Sequence, residues 1–326
     1  MSSKNYRWGI LGAGRIAEKF CAALCFVEGS EVYAIASRDK EKAKAYASKY
    51  NASVYYDNYE DLVKDENVDI IYIATPHAFH YRQTMLCLQH KKAVLCEKPM
   101  SLSHQHTSEM IAEAARNKVF LMEAMWTACM PVIRKILTLI ENDTIGQPQY
   151  IAADFGFTAP KDLTGRLYNK TLGGGAVLDI GIYPISLATL ILGKPSVIKT
   201  VSKLAETGVD EYANVLLQYA DGATAYALST INFNTAIEAE IIGTKGSIKI
   251  KNPWFKASDF TLHLEDAPIQ NFYIPHQCNG FEHEIREVMH CLDNGLLQSD
   301  KVPHSLTLIV SKITDEVLRQ AGVVYE

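Results

Sequence analysis

No basic run stands out in this sequence. Lysine and arginine number 32 against 37 acidic residues, which leaves a net charge of −5. Nucleic acids are held by clustered lysines and arginines, so no nucleic-acid partner is expected. A long uncharged apolar stretch is lacking as well. The best candidate, Ala176 to Leu192, contains Asp179 and Pro184 and reads as a buried helix, so no membrane partner is expected. Met1 to Arg7 is short and polar and leads straight into a strand pattern, which predicts no signal peptide. The seven cysteines are odd in number and include no CxxC pair. The ten histidines are scattered, without the ligand spacings that metal sites use, so no metal is expected. These lacks together predict a cytoplasmic protein with reduced thiols.

What the sequence does hold is core material. Apolar residues make up 48% of its 326 positions, enough for two domains of ordinary size. The first part alternates strand and helix. Tyr6–Leu11, Glu31–Ser37, Ile70–Thr75, Ala93–Glu97 and Val119–Glu123 read as strands, and the uncharged run Ile70–Thr75 reads as one buried on both faces. Such alternation predicts a parallel sheet wrapped by helices, a Rossmann domain over residues 1–125. After about Met130 strands follow one another with hairpin turns such as Tyr219-Ala-Asp-Gly222. Residues 126–326 are therefore expected to form an α+β domain with a large, mostly antiparallel open sheet. One helix, near Gly175–Leu192, sits among these strands, and two more close the chain.

Gly12-Ala-Gly14-Arg-Ile-Ala17 matches G-x-G-x-x-A between a strand and a helix, the context that a dinucleotide fingerprint requires. Gly12 allows the tight turn, and Gly14 lets a pyrophosphate approach the backbone. Arg15 and Ile16 open the helix, whose free N–H groups favour anions. At the end of the second strand, where an acidic residue would hold the ribose of NAD, stands Ser37 followed by Arg38. A guanidinium binds a 2′-phosphate that a carboxylate would repel, and Lys42 lies one helical turn further on. The expected cofactor is NADP, with NAD second.

Two further motifs carry a resemblance. Glu97-Lys98-Pro99 ends the strand Ala93–Glu97, and Gly173-Gly-Gly-Ala-Val-Leu-Asp179-Ile-Gly-Ile-Tyr183 follows later. With the fingerprint, they make the sequence similar over nearly its whole length to the glucose–fructose oxidoreductase, inositol dehydrogenase and rhizopine-catabolism family (Gfo/Idh/MocA). Within that family it most resembles the branch of dihydrodiol and D-xylose 1-dehydrogenases. The resemblance implies that Lys98 contacts the substrate hydroxyl and that Tyr183 is the acid/base. It implies a cis bond before Pro99 and a loop, Thr75, Pro76, His77 and His80, along the nicotinamide ribose, with Glu97 beside it. It also implies a homodimer. Many relatives carry histidine at the position of Tyr183, so an inositol-type substrate is not expected.

The chemistry fits these residue types. Oxidising an alcohol sends a hydride to the nicotinamide and a proton to an acceptor within hydrogen-bond reach. A free phenol ionises near pH ~10, and a lysine ammonium nearby favours the phenolate. Asp179, four residues before Tyr183, shares a helix face with it and is expected to bond the substrate or to hold Lys98. Trp126, Phe155, Trp254 and Phe281 are candidate pocket walls, since aromatic faces suit sugar and diol rings, and Arg166 is a candidate for reaching substrate hydroxyls. The expectation is an NADP-dependent dehydrogenase for a small sugar or cyclic diol. Two other readings stay open: a reductase of a keto-sugar built from the same residues, and a non-catalytic NADP-sensing regulator. The regulator reading predicts damage at Lys98 or Tyr183, and both are intact.

Overall fold

The computed structural model describes residues 5–325 and divides them into two compact units. Of the described residues, the first contains 5–101, 105–126 and 276–304; the second contains 102–104, 127–275 and 305–325.

The first unit is built from β1 (Tyr6–Leu11), α1 (Arg15–Leu24), β2 (Ser30–Ala36), α2 (Lys40–Lys49), β3 (Val54–Tyr56), α3 (Tyr59–Lys64), β4 (Ile70–Ile73), α4 (His80–Gln89), β5 (Ala93–Glu97), α5 (His104–Asn117) and β6 (Leu121–Ala124). Its six strands run parallel in the order β3-β2-β1-β4-β5-β6. This is the doubly wound order, with its switch point between β1 and β4. Every residue of β4 and β5 is buried, because helices cover both faces of the sheet.

The second unit takes α6 (Pro131–Glu141), β7 (Pro148–Gly156), α7 (Ile182–Leu192), β8 (Val197–Leu204), β9 (Asp210–Gln218), β10 (Thr224–Thr230), β11 (Ala239–Gly243), β12 (Gly246–Ile250), β13 (Asp259–Leu264) and β14 (Gln270–Tyr273). Its eight strands lie in the order β14-β13-β12-β11-β7-β10-β9-β8. All neighbours are antiparallel except β7 and β10, which are parallel. Strands β13 and β14 were not among the expected ones; their polar, turn-rich surroundings hide the alternation. The chain closes with α8 (Phe281–Asp293) and α9 (His304–Ala321).

Two expectations need correction. A single cut after residue 125 does not divide the chain, because α8 belongs to the first unit. Phe281 on α8 stacks on Trp126, with ring centroids 4.4 Å apart, and meets Phe20 of α1 edge-on. Burial of this aromatic face brings the late segment back to the dinucleotide unit. The helix expected over 175–192 opens instead as a wide π-type turn, Val177–Gly181, before α7 continues it. The stretch 170–192 is apolar and long enough to cross a membrane, but 83% of its apolar window is buried inside the structure, as expected of a core helix.

Candidate active site

The cofactor half lies at the C-terminal edge of the parallel sheet. Gly12 leaves β1 with φ +103°, a conformation costly for any residue with a Cβ. A Cβ there would also lie 2.9 Å from Thr75 Cγ2 and 3.1 Å from the Ala74 carbonyl oxygen. Gly14 is the extended N-cap of α1 and supplies no side-chain cap, so the first amides of the helix, from Arg15 and Ile16 onward, face outward for an anion. A cleft of about 940 Å³ opens here. Of the expected cofactor residues, Gly12, Gly14, Ser37, Arg38, Lys42, Thr75 and Pro76 line it. A glycine cradle that a side chain would fill, beside a helix N-terminus and two cations, fits a dinucleotide.

The rim of the cleft includes residues the sequence did not flag. Arg38 is exposed and lies over the Phe79 ring, 5.4 Å from its centroid, a cation–π contact. Tyr59 forms part of the lining as well. Asp39, next to Arg38, also lines the cleft; its carboxylate caps α2 and accepts the Lys42 amide at 3.1 Å. Neither aromatic position carries a sequence signal, since the loops that deliver them meet only in three dimensions.

Glu97, Lys98 and Pro99 end β5, and the Lys98–Pro99 peptide is cis. Lys98 is half-buried. Glu97 is buried; it accepts a short hydrogen bond from the Tyr72 hydroxyl and another from the Lys98 amide at 3.2 Å, so it braces the turn that presents the lysine. The Met100 amide donates to Glu123 at 2.8 Å and fixes the other side of that turn. His80 does not line the cleft but is fully buried, with Nδ1 2.8 Å from the Pro99 carbonyl and Nε2 2.9 Å from the Thr75 carbonyl. Two carbonyls would favour the imidazolium, yet burial outweighs them and holds its pKa below the ordinary histidine value. His80 thus lies between the loop after β4 and the loop after β5, and its neutral ring donates to one of the two carbonyls. His77 heads the short turn before α4, its ring edge-on to His80.

Behind Glu97 lies a residue the sequence reading missed. Glu284 of α8 is fully buried, and neither carboxyl oxygen has a hydrogen-bond partner among the described residues. Burial first, and then the Glu97 charge, push its pKa well above the usual carboxylate range. Its signal was available: Glu284 sits three residues after Phe281 and four before Val288, on the apolar stripe of the helix.

The second unit carries Tyr183 at the start of α7. Its ring is buried and framed by Phe155 of β7 and Phe255, with centroids 5.6 and 5.4 Å away. Phe155 and Phe255 stack on each other at 4.2 Å, nearly parallel. Phe255 was not among the expected wall residues; its neighbour Trp254 was. Trp254 is wholly buried core, its indole N–H donating to the Asp154 carbonyl at 2.8 Å, so the adjacent residue turns its ring to the box. Phe281 and Trp126 form a stacked pair within the first unit, and Phe281 is core there while Trp126 keeps 8% of its surface exposed.

Asp179 is buried and accepts Arg166 Nη1 at 2.7 Å, while the arginine side chain is 56% exposed. The glycine run makes this possible. A Cβ on Gly174 would sit 2.5 Å from the Leu167 carbonyl oxygen, so the loop bearing Arg166 packs directly on the glycine backbone. Gly175, at φ +111°, lies against Asp210, whose carboxylate accepts the Val177 amide at 2.7 Å. Burial pushes the Asp210 carboxyl up to about 7 despite that bond.

One grouping of metal-ligating side chains was not anticipated from the sequence spacings. His276, Glu282 and His283 bring one donor atom each within 4.8 Å of one another. A helix start folds them together, and no standard ligand spacing announces that.

A six-stranded parallel sheet of this order, with a glycine turn at its first strand, defines a dinucleotide-binding unit. Residues 6–125 match the oxidoreductase family with an NAD-binding Rossmann fold, and residues 133–249 match the Gfo/Idh/MocA C-terminal domain. The chain belongs to the Gfo/Idh/MocA oxidoreductase family. It is 36% identical over 331 residues to trans-1,2-dihydrobenzene-1,2-diol dehydrogenase of Xenopus tropicalis, covering 98% of this chain and 99% of that one. The enzyme of the same name from Homo sapiens is 35% identical over 330 residues, with 98% of each chain covered. Among solved structures, a 3-ketoreductase from Actinomadura kijaniata in complex with NADP and TDP-benzene is 25% identical, with a TM-score of 0.85 over 97% of this chain and 98% of that one. An aldose–aldose oxidoreductase from Caulobacter crescentus, 24% identical, shares the fold at a TM-score of 0.88 over 98% of each chain. The chain is thus a dehydrogenase acting on CH–OH groups with an NAD(P)-binding Rossmann unit.

Proposed function

We propose that this chain is an NADP-preferring dehydrogenase that oxidises one hydroxyl of a cyclic trans-diol, or the anomeric hydroxyl of an aldose, with Lys98 and Tyr183 handling the proton. The observation that carries the reading is the aromatic box in which Phe155 and Phe255 frame the hydroxyl-bearing ring of Tyr183. Flat apolar walls around a phenol suit a small ring with one reacting hydroxyl, and the names of the relatives point to that substrate class.

When bound, the nicotinamide accepts the hydride. The rest is the work of the chain. The amides after Gly14 receive the pyrophosphate, and Arg38 with Lys42 receives the 2′-phosphate, with no carboxylate at Ser37 to repel it. Tyr183 takes the hydroxyl proton, and Lys98 is assigned to the substrate hydroxyl on the family resemblance. Asp179, neutralised by Arg166, orients the substrate side of the box. In reverse Tyr183 donates the proton to a carbonyl, so the same residues serve a reductase.

The test is reduction of NADP and of NAD by the purified protein with a trans-dihydrodiol and a panel of aldoses and inositols, followed by absorbance. Turnover of the diol or of D-xylose with NADP preferred is expected. Turnover of inositols alone, or equal use of NAD, would overturn the reading. A homodimer is proposed as well, on the resemblance and on the open sheet, where Val201 of β8 is 69% exposed, Leu216 of β9 is exposed near it and Ile242 is exposed on β11. Sedimentation showing only monomer at micromolar concentration would end that proposal.

A further inference from the structure

The chain reaches α8 through His276-Gln-Cys-Asn-Gly280, and three side chains converge where the helix starts. His276 Nδ1 and His283 Nε2 lie 3.1 Å apart. Glu282 Oε1 lies 3.7 Å from the same His283 nitrogen. We propose that His276, Glu282 and His283 form a binding site for one divalent transition-metal ion of the zinc type, separate from the cofactor cleft and from the chemistry assigned to it.

Three arguments carry this. The first is distance. Two donors at 2.0–2.1 Å from a tetrahedral zinc are ~3.3 Å apart, and the separations of 3.1 and 3.7 Å bracket that value. The third pair, His276 and Glu282, lies within 4.8 Å, so these side chains must draw together around an ion. The second is donor type. Two imidazoles and one carboxylate suit zinc or cobalt, whereas calcium and magnesium take oxygen ligands. The third is support. Glu282 is wholly buried and locked in place: Oε1 accepts the Gln277 and Cys278 amides at 2.9 and 3.0 Å, and Oε2 accepts the Gly280 amide at 2.7 Å. Such outer hydrogen bonds orient a ligating carboxylate. The His283 side chain is only 14% exposed and His276 is half-buried.

The nearby cations are engaged elsewhere. Arg286 donates to the Gln277 side chain, and Lys301 pairs with Glu287 at 2.5 Å. Without an ion, the two imidazoles share a single hydrogen bond. An ion would join the segment from His276 to the first turn of α8 and so stabilise the segment that Asn279 already fastens to α1 through the Lys19 carbonyl at 2.9 Å.

The test uses the full chain, stripped with chelator and titrated with cobalt(II) and then zinc(II). The expected result is one cobalt per chain, with a dissociation constant on the order of 10 µM or tighter, visible bands of a nitrogen–oxygen site, and displacement by zinc. Zinc is expected to raise the melting temperature by a few degrees. His276→Gln and His283→Gln should each weaken binding at least about tenfold while keeping the circular dichroism and the NADP affinity of the parent. If His283→Gln fails to fold, the half-buried His276→Gln decides. No saturable binding, binding unchanged in His276→Gln, or an intense thiolate-to-cobalt band would each overturn the site.

Discussion

In the first unit, most of the residues that line the cleft come in short runs at strand ends: 12–14 after β1, Ser37, Arg38, Asp39 and Lys42 after β2, and 74–76 with Phe79 after β4; the start of α3 and one side of α4 complete it. In the second, the aromatic box draws Phe155 from β7, Tyr183 from the start of α7 and Phe255 from a turn after β12, with Asp179 and Arg166 nearby in the chain but joined by a salt bridge. The difference follows from topology. A parallel sheet delivers the C-terminal end of every strand to one edge, so local sequence at those ends is enough to build a site. A mostly antiparallel sheet has no such common edge, and its sites are assembled from long-range packing.

If the division is real, substitutions in the two units should separate turnover from cofactor affinity. The largest effect is expected from Tyr183→Phe, which removes the proton acceptor and keeps the ring in its box. Turnover should fall by about 10²–10⁴-fold with the dissociation constant for NADP unchanged. Near-normal turnover would place the acid/base elsewhere and break the comparison. Next comes Arg38→Ala. Loss of a charge-assisted contact to the 2′-phosphate should raise the KM for NADP by about tenfold or more and leave kcat and the KM for NAD nearly unchanged. An unchanged KM for NADP would show that Arg38 stands on the rim without holding the phosphate.

The remaining prediction concerns stability rather than activity, and it sharpens the contrast from the second unit's side. Asp210 releases its proton near 3.8 in the unfolded chain and near 7 in the folded one. Between those values the folded state holds the extra proton, so stability falls as pH rises through that window, by up to about 1.4 kcal/mol per pH unit. Asp210→Asn should flatten this slope in melting curves taken from pH 4 to 7. A slope equal to that of the parent would assign the pH dependence to other groups.

Particular residues show what was legible. Gly12, Gly14, Ser37 and Arg38 were readable because a glycine turn and the end of β2 act through backbone geometry and local charge, which spacing records. The E-K-P triplet and the glycine run with Tyr183 were readable as motifs for the same reason: the close approach at Gly174 tolerates no side chain. Trp254 and Phe255 were not separable, since adjacent aromatics differ only in which one finds a carbonyl for its N–H. His80 read as a loop residue beside the cofactor, and only the fold shows both of its nitrogens close to carbonyls of two different loops.

The sequence by itself determined the parallel dinucleotide-binding unit, its glycine turn and the residue types available for proton transfer. These depend on periodicity and on neighbours a few positions apart. The tertiary structure alone decided that 276–304 belongs with the first unit, that Glu284 lies unpaired behind Glu97, and that His276, Glu282 and His283 meet. Each of those depends on which apolar face a late helix buries, and burial is settled by the packing of the whole unit rather than by any local run of residues.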